Sequence, residues 1–237
     1  MFLQRDLERL KKLALEMGTL VEENIARAVT ALNTCDRSLA EEIVASDAQV
    51  DRREVEIEEE CLKILALHQP VARDLRFVVT VLKMNNDLER MGDYSVNIAQ
   101  RVLFFAARGR VPVPESISVM AGKVAVMVRR SLDSLVEADS KLARSVILSD
   151  DDVDQMRDDI FGVTIQEMRS DPQRIELWIQ IMSTARYLER IADLATNLAQ
   201  DVIYLVEGEV VRHKPPADYP AGSLPDADQP QRNGCRE

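Results

Sequence analysis

The sequence predicts an all-α protein built as two tandem, pseudo-symmetric three-helix bundles, six long helices in all, with a disordered C-terminal tail. Three observations carry this reading. Leu88-Glu89-Arg90-Met91-Gly92-Asp93 recurs one hundred residues later as Leu188-Glu189-Arg190-Ile191-Ala192-Asp193, and each copy continues to Asn97, Ala99, Gln100 and to Asn197, Ala199, Gln200. Self-similarity at a fixed offset is the signature of a duplicated structure. Upstream, Asp36, Leu39, Ala40, Ser46, Asp47, Val50 and Asp51 match Asp139, Leu142, Ala143, Ser149, Asp150, Val153 and Asp154 at an offset of 103. Finally, eight glycines and 4% aromatics beside 46% hydrophobic and 30% charged residues describe a helix-rich chain.

The elements follow in order. Helical patterning runs from Leu3 to Thr34, from Asp36 to about Leu67 and from Val71 to about Ala107, then from Glu115 to Glu137, Asp139 to Met168 and Pro172 to about Glu207. The third and sixth segments are the most regular. Val81, Met84, Leu88, Met91, Ser95, Ile98, Val102 and Phe105 advance in steps of three and four, and Ile181, Thr184, Leu188, Ile191, Ala195, Leu198, Val202 and Leu205 repeat those steps. Such a stripe is a bundle seam, and short connections make neighbouring helices antiparallel. The difference between the two offsets places a three-residue deletion near Pro172, in the turn that corresponds to Pro70. Gly109, Pro112 and Pro114 mark the connection between halves. The predicted division is therefore 1–109, 110–213 and a Pro-rich tail, 214–237, without periodicity and containing Cys235.

Composition excludes several function classes. A formal net charge of −11 opposes general nucleic-acid binding, which requires a basic surface to release counterions from phosphates. No apolar run reaches the ~18 residues of a membrane span, and the charged start from Met1 to Lys12 lacks a signal-peptide core. A cytoplasmic location is the resulting expectation. Cys35, Cys61 and Cys235 form neither a metal motif nor an even disulfide framework, and Cys61 falls at an apolar helical position suited to a core thiol.

Four acidic pairs recur at spacing i, i+4: Asp47 with Asp51, Glu89 with Asp93, Asp150 with Asp154, and Glu189 with Asp193. Each pair occupies one helix face. With Leu88 and Met91 in the seam, Glu89 and Asp93 turn outward, and two antiparallel helices presenting such pairs could set four carboxylates round one site. Hard cations prefer oxygen ligands, and crowded acids need a cation to relieve their repulsion. The alternative is a solvated acidic face, because 41 acids in 237 residues generate roughly seven such pairs at random, so the spacing alone is a weak motif. The recurrence in register favours a metal, whereas Arg90 and Arg190 could neutralise the acids without one.

Other candidates are weaker. His68 and His213 are the only histidines; neither has a partner at ligand spacing, and a turn or capping role is expected for each. The chain lacks the Glu-x-x-His motifs of ferritin-like di-iron proteins, as well as a phosphate-cradling glycine loop or a nucleophile elbow. No catalytic residue is assigned, and the protein is expected not to be an enzyme. Metal-dependent phosphohydrolysis or metal buffering at the carboxylates is the rival reading.

The segments Asp87 to Gln100 and Ala185 to His213 closely resemble the PhoU family, a likeness that extends over residues 1 to about 213. The resemblance implies two three-helix bundles and a cytoplasmic regulator of phosphate homeostasis, often a homodimer. It implies negative regulation of the phosphate-starvation response by an adaptor between the high-affinity phosphate ABC transporter, through its PstB-like ATPase subunit, and a PhoR-like sensor histidine kinase. Some members carry metal on paired acids, which map to Asp47/Asp51 with Glu89/Asp93 and to Asp150/Asp154 with Glu189/Asp193. Iron, manganese, magnesium or zinc would each suit such a set. Relatives commonly place histidine after the second acid, where this chain has Tyr94 and Leu194.

Overall fold

The computed structural model describes residues 2–108 and 113–211; the residues between Arg108 and Val113, His213 and the predicted tail with Cys235 lie outside them. All regular structure in the described residues is helical: α1 (Phe2–Thr34), α2 (Arg37–His68), α3 (Ala72–Ala107), α4 (Glu115–Glu137), α5 (Ser140–Ile147), α6 (Asp150–Ser170) and α7 (Ile175–Glu207). At 1.5 Å per residue, α1 and α7 each extend about 50 Å.

Local chemistry ends and starts these helices in matching ways. After α1 and α4 the chain turns at Cys35 and Ala138, with φ of 51° and 52°. The next residue caps the following helix: the Asp36 carboxylate accepts from the Leu39 amide, and the Asp139 carboxylate accepts from the Lys141 and Leu142 amides. An acceptor at this position satisfies amides that the first turn leaves unpaired. The repeated Asp36 and Asp139 are thus capping residues. Helix α7 stops at Gly208, whose φ of 75° is left-handed and whose amide bonds the Tyr204 carbonyl.

The expected unbroken helix from Asp139 to Met168 is instead interrupted at Leu148 and Ser149. The Ser149 amide bonds the Val146 carbonyl, a tightened i to i−3 turn. Hydroxyls reinforce it, with Ser149 Oγ donating to Ser145 O at 2.9 Å and Ser145 Oγ to Leu142 O at 2.6 Å. Serine hydroxyls that bond back to a preceding carbonyl bend helices. The connection predicted to carry the deletion is not itself shortened: α2 reaches α3 through Gln69, Pro70 and Val71, whereas α6 is followed by Asp171 and a 3-10 turn, Pro172–Arg174, whose Gln173 amide is capped by Asp171. It is the helix that follows which is shorter, α7 having 33 residues to the 36 of α3.

Helices α1, α2 and α3 pack as one set, and α4 packs with α5, α6 and α7 as the other. The seam residues are buried as their spacing requires, except Leu205, which is half-buried. The two sets share one contiguous core, joined where α3 meets α7 and α1 meets α4. Lys83 lies 3.7 Å from Asp201, Tyr94 stacks on Tyr187 at 5.9 Å, and Arg101 donates to Gln180 at 2.6 Å. As numbers rise along α3, those of its partners fall along α7, so these two helices are antiparallel.

Candidate metal centre

Two neighbouring helices build each carboxylate cluster. In the first, Asp47 and Asp51 come from α2, and Glu89 and Asp93 from α3. Val50 anchors the approach from inside the core, where a side chain at Gly92 would meet its Cγ1 at 3.1 Å. Glycine at that position lets α2 and α3 lie close, and their acids therefore face one another. Asp47 and Glu89 are half-buried, Asp51 and Asp93 exposed.

The acids act on each other through space. Burial raises the proton affinity of Asp47, and the charges of Asp51 and Asp93 raise it further. Glu89 is raised by burial and then by Asp93, Glu54, Asp51 and Asp47; Asp93 is raised by burial and Asp51, with Arg90 opposing. Glu54 belongs to the same group, raised by burial, Glu58 and Asp51. It stands one turn beyond Asp51 and was not among the acids expected from the repeated pairs. Asn85, 2% exposed, holds its backbone by donating from Nδ2 to the Glu54 carbonyl at 2.9 Å. Asp47 Oδ1 is buried without a hydrogen-bond partner.

The second cluster draws Asp150 and Asp154 from α6 and Glu189 and Asp193 from α7, all half-buried. Asp150 is pushed up to about 6 by burial and then by Asp154, and Asp193 to about 6 by burial, Glu189, Asp150 and Asp154. The Thr196 hydroxyl reaches toward Asp150 and eases it back, without the alignment of a full hydrogen bond. A cleft of about 510 Å³ opens here, lined by Arg90 and Tyr94 of α3 and by Asp150, Arg190, Asp193, Thr196, Asn197 and Gln200.

Arg157 enters this second cluster. Its Nη1 donates to Glu189 Oε1 at 3.1 Å, and Nη2 lies 2.9 Å from Asp158 and 3.9 Å from Asp154. Arg157 stands at the offset of 103 from Glu54, so an arginine in one copy replaces an acid in the other. Comparing mismatches as well as matches between the copies would have revealed it. Arg90 and Arg190, the arginines that the repeat does preserve, are exposed and only partly offset Asp93 and Asp193.

The oxygen-only donor set and the unpartnered Asp47 Oδ1 suit a hard cation. In this conformation, however, no three histidine, cysteine or carboxylate side chains among the described residues close on one point as ligands. The positions after the second acids are otherwise engaged, with Tyr94 stacked on Tyr187 and Leu194 buried. His68 lies at the end of α2, away from the clusters in sequence, with Nε2 3.0 Å from Asp6 Oδ2.

Residues 14–102 and 117–202 each match the PhoU domain. The phosphate-specific transport system accessory protein PhoU homolog of Aquifex aeolicus is 39% identical over 90% of this chain and 97% of its own length. Its counterpart from Clostridium acetobutylicum is 35% identical over 88% and 95%. Among solved structures, PhoU from Pseudomonas aeruginosa superposes with a TM-score of 0.84 at 36% identity, covering 87% of this chain and 99% of that one. The phosphate transport system regulatory protein PhoU from Streptococcus pneumoniae gives 0.78 at 28%, covering 88% and 99%. With both halves matched and relatives aligned along nearly their full length, the chain belongs to the PhoU family.

Proposed function

We propose that this protein is an accessory regulator of a high-affinity phosphate transport system. It acts in the cytoplasm as a homodimer that restrains the phosphate-starvation response by bridging a PstB-like transporter ATPase and a PhoR-like sensor histidine kinase. The observation that carries the reading is the match of both halves to the PhoU domain, with relatives named as accessory proteins of phosphate-specific transport. No helix in the described residues is long and apolar enough to cross a membrane, so association with a transporter would rely on docking. Long helical faces suit that work. Leu62 and Ile165, and likewise Leu75 and Ile175, hold equivalent repeat positions and are exposed apolar residues in both copies.

Deleting the gene is expected to raise phosphate-response transcription and phosphate uptake in cells grown with abundant phosphate. Unchanged expression and uptake would contradict the regulatory role.

A cation at the first carboxylate cluster is a second reading, favoured by the unpartnered buried oxygen of Asp47 and by mutual repulsion among Asp47, Asp51, Glu54, Glu89 and Asp93. Iron, manganese, magnesium or zinc would supply positive charge there and relieve that repulsion, with modest side-chain rotation bringing the ligands together. Glu89→Ala/Asp93→Ala is expected to lose the bound metal while keeping its helicity. Metal content that survives both substitutions after clean purification would refute the site.

A further inference from the structure

We propose that Arg157 is the resident cation of the second carboxylate cluster, so that the two clusters of this duplicated chain are unequal and only the first is open to a metal ion. The inference rests on the cation reading of the first cluster. Its own basis is the exchange of Glu54 for Arg157 at one repeat position and the ion pairs that Arg157 makes.

The duplication supplies an internal comparison. Asp47, Asp51, Glu89 and Asp93 have their counterparts in Asp150, Asp154, Glu189 and Asp193, so the two ligand sets are alike in type and position. The next inward-facing turn is where they part. In the first cluster Glu54 adds a fifth carboxylate, and among the described ion pairs none involves these five acids. In the second, the guanidinium bonds Glu189 Oε1 at 3.1 Å and lies within 4 Å of Asp154. Both partners of the shortest link into the cluster are largely shielded, with side-chain exposures of 26% for Arg157 and 16% for Glu189.

These contacts have two consequences for a metal. A guanidinium never deprotonates at ordinary pH, so its charge is permanent and repels a second cation at close range. One arm of its fork also occupies a lone pair of Glu189 Oε1 that a metal would need, while Nε and Nη2 are anchored on Asp158 and hold the guanidinium in place. A neighbouring difference supports the exchange: Asn85, which fixes the backbone at Glu54, is matched in the second copy by Ala185, which has no side-chain donor, so the polar anchor occurs only with the acid. Glu189 and Asp154 of the second cluster therefore serve as partners for a side chain, with Asp150 and Asp193 left outside its reach, whereas no acid of the first cluster has an ion-pair partner among the described residues.

The test is Mn²⁺ stoichiometry and affinity, by equilibrium dialysis with elemental analysis, on full-length chelator-stripped protein. Circular dichroism confirms folding of each variant. The native chain is expected to lose its Mn²⁺ with Glu89→Ala/Asp93→Ala and to keep it with Glu189→Ala/Asp193→Ala. Arg157→Glu is expected to create a second Mn²⁺ site, tightening binding at that cluster on the order of tenfold or more, and to do so in the Glu89→Ala/Asp93→Ala background too. Arg157→Gln, which removes the charge with little change in size, is expected to give a smaller gain. Native Mn²⁺ that depends on Glu189 and Asp193, or no gain from either Arg157 variant, would overturn the inference. A native chain without Mn²⁺ would refute the cation reading of the first cluster, while a gain in Arg157→Glu would still uphold the role of Arg157.

Discussion

Asn85 reaches from α3 to the backbone of α2 and donates a 2.9 Å hydrogen bond to the carbonyl of Glu54. That carbonyl belongs to the residue on which the two halves diverge. Asn85→Ala removes a buried donor and leaves a small void, and is expected to cost about 1–3 kcal/mol. Urea denaturation should show a lower midpoint with an unchanged slope. An unaltered midpoint would mean that the bond does not hold α2 against α3.

The clusters make the metal-free protein sensitive to pH. Asp150 and Asp193 are pushed from 3.8 to about 6 in the folded chain, so the folded state binds their protons more tightly than the unfolded state does. Their contribution to stability is fullest below 3.8 and is lost as pH rises through about 6. Asp47, Glu54, Glu89 and Asp93 shift in the same direction. Thermal melts of chelator-treated protein should therefore show Tm rising as pH falls from 7.5 to 5.5. Asp150→Asn/Asp193→Asn should raise Tm at pH 7.5 by about 2–4 °C for each kcal/mol relieved and flatten the profile. A Tm that falls across that window would contradict the assignment.

The pair at the other end of α2 has the opposite sign. His68 holds the Asp6 carboxyl below its ordinary value of 3.8, against the effect of burial and with help from Lys63 and Arg5. The folded state then binds this proton less tightly, so the contribution is present above 3.8 and is lost as pH falls through the lower folded value. His68→Ala should lower Tm at pH 7, and its difference from the native chain should shrink in strong acid. A difference independent of pH would assign the effect to packing.

Cys61 is fully buried, its thiol is pushed up to about 12 by burial and the nearby acids Glu60 and Glu58, and its Sγ lies 3.9 Å from the Val78 carbonyl. A thiol without thiolate character or access is inert. In a Cys35→Ser/Cys235→Ser background, a thiol-reactive dye should label Cys61 only on unfolding. Rapid labelling of the native protein would show that α2 and α3 separate there.

Much of this architecture was legible because burial enforces periodicity. Residues such as Met91 and Ile191 must recur in steps of three and four to reach the core, and the repeat fixed where equivalent helices lie. The capping roles of Asp36 and Asp139 were hidden, because a matched acid looks the same in sequence whether it caps a helix or faces another acid. The break at Leu148 and Ser149 was hidden as well, since its hydroxyl bonds leave the apolar spacing intact. Glu54 and Arg157 were missed for a different reason. Matching residues draw attention in a repeat, whereas the electrostatics of a cluster turn on the position where the copies disagree.

The most direct test of the regulatory account is recovery of partners on the tagged native chain from cells of its own host grown in high and low phosphate, identified by mass spectrometry. The account predicts that the phosphate transporter ATPase and the sensor histidine kinase are both retained when phosphate is abundant. Retention of neither in either condition would contradict it.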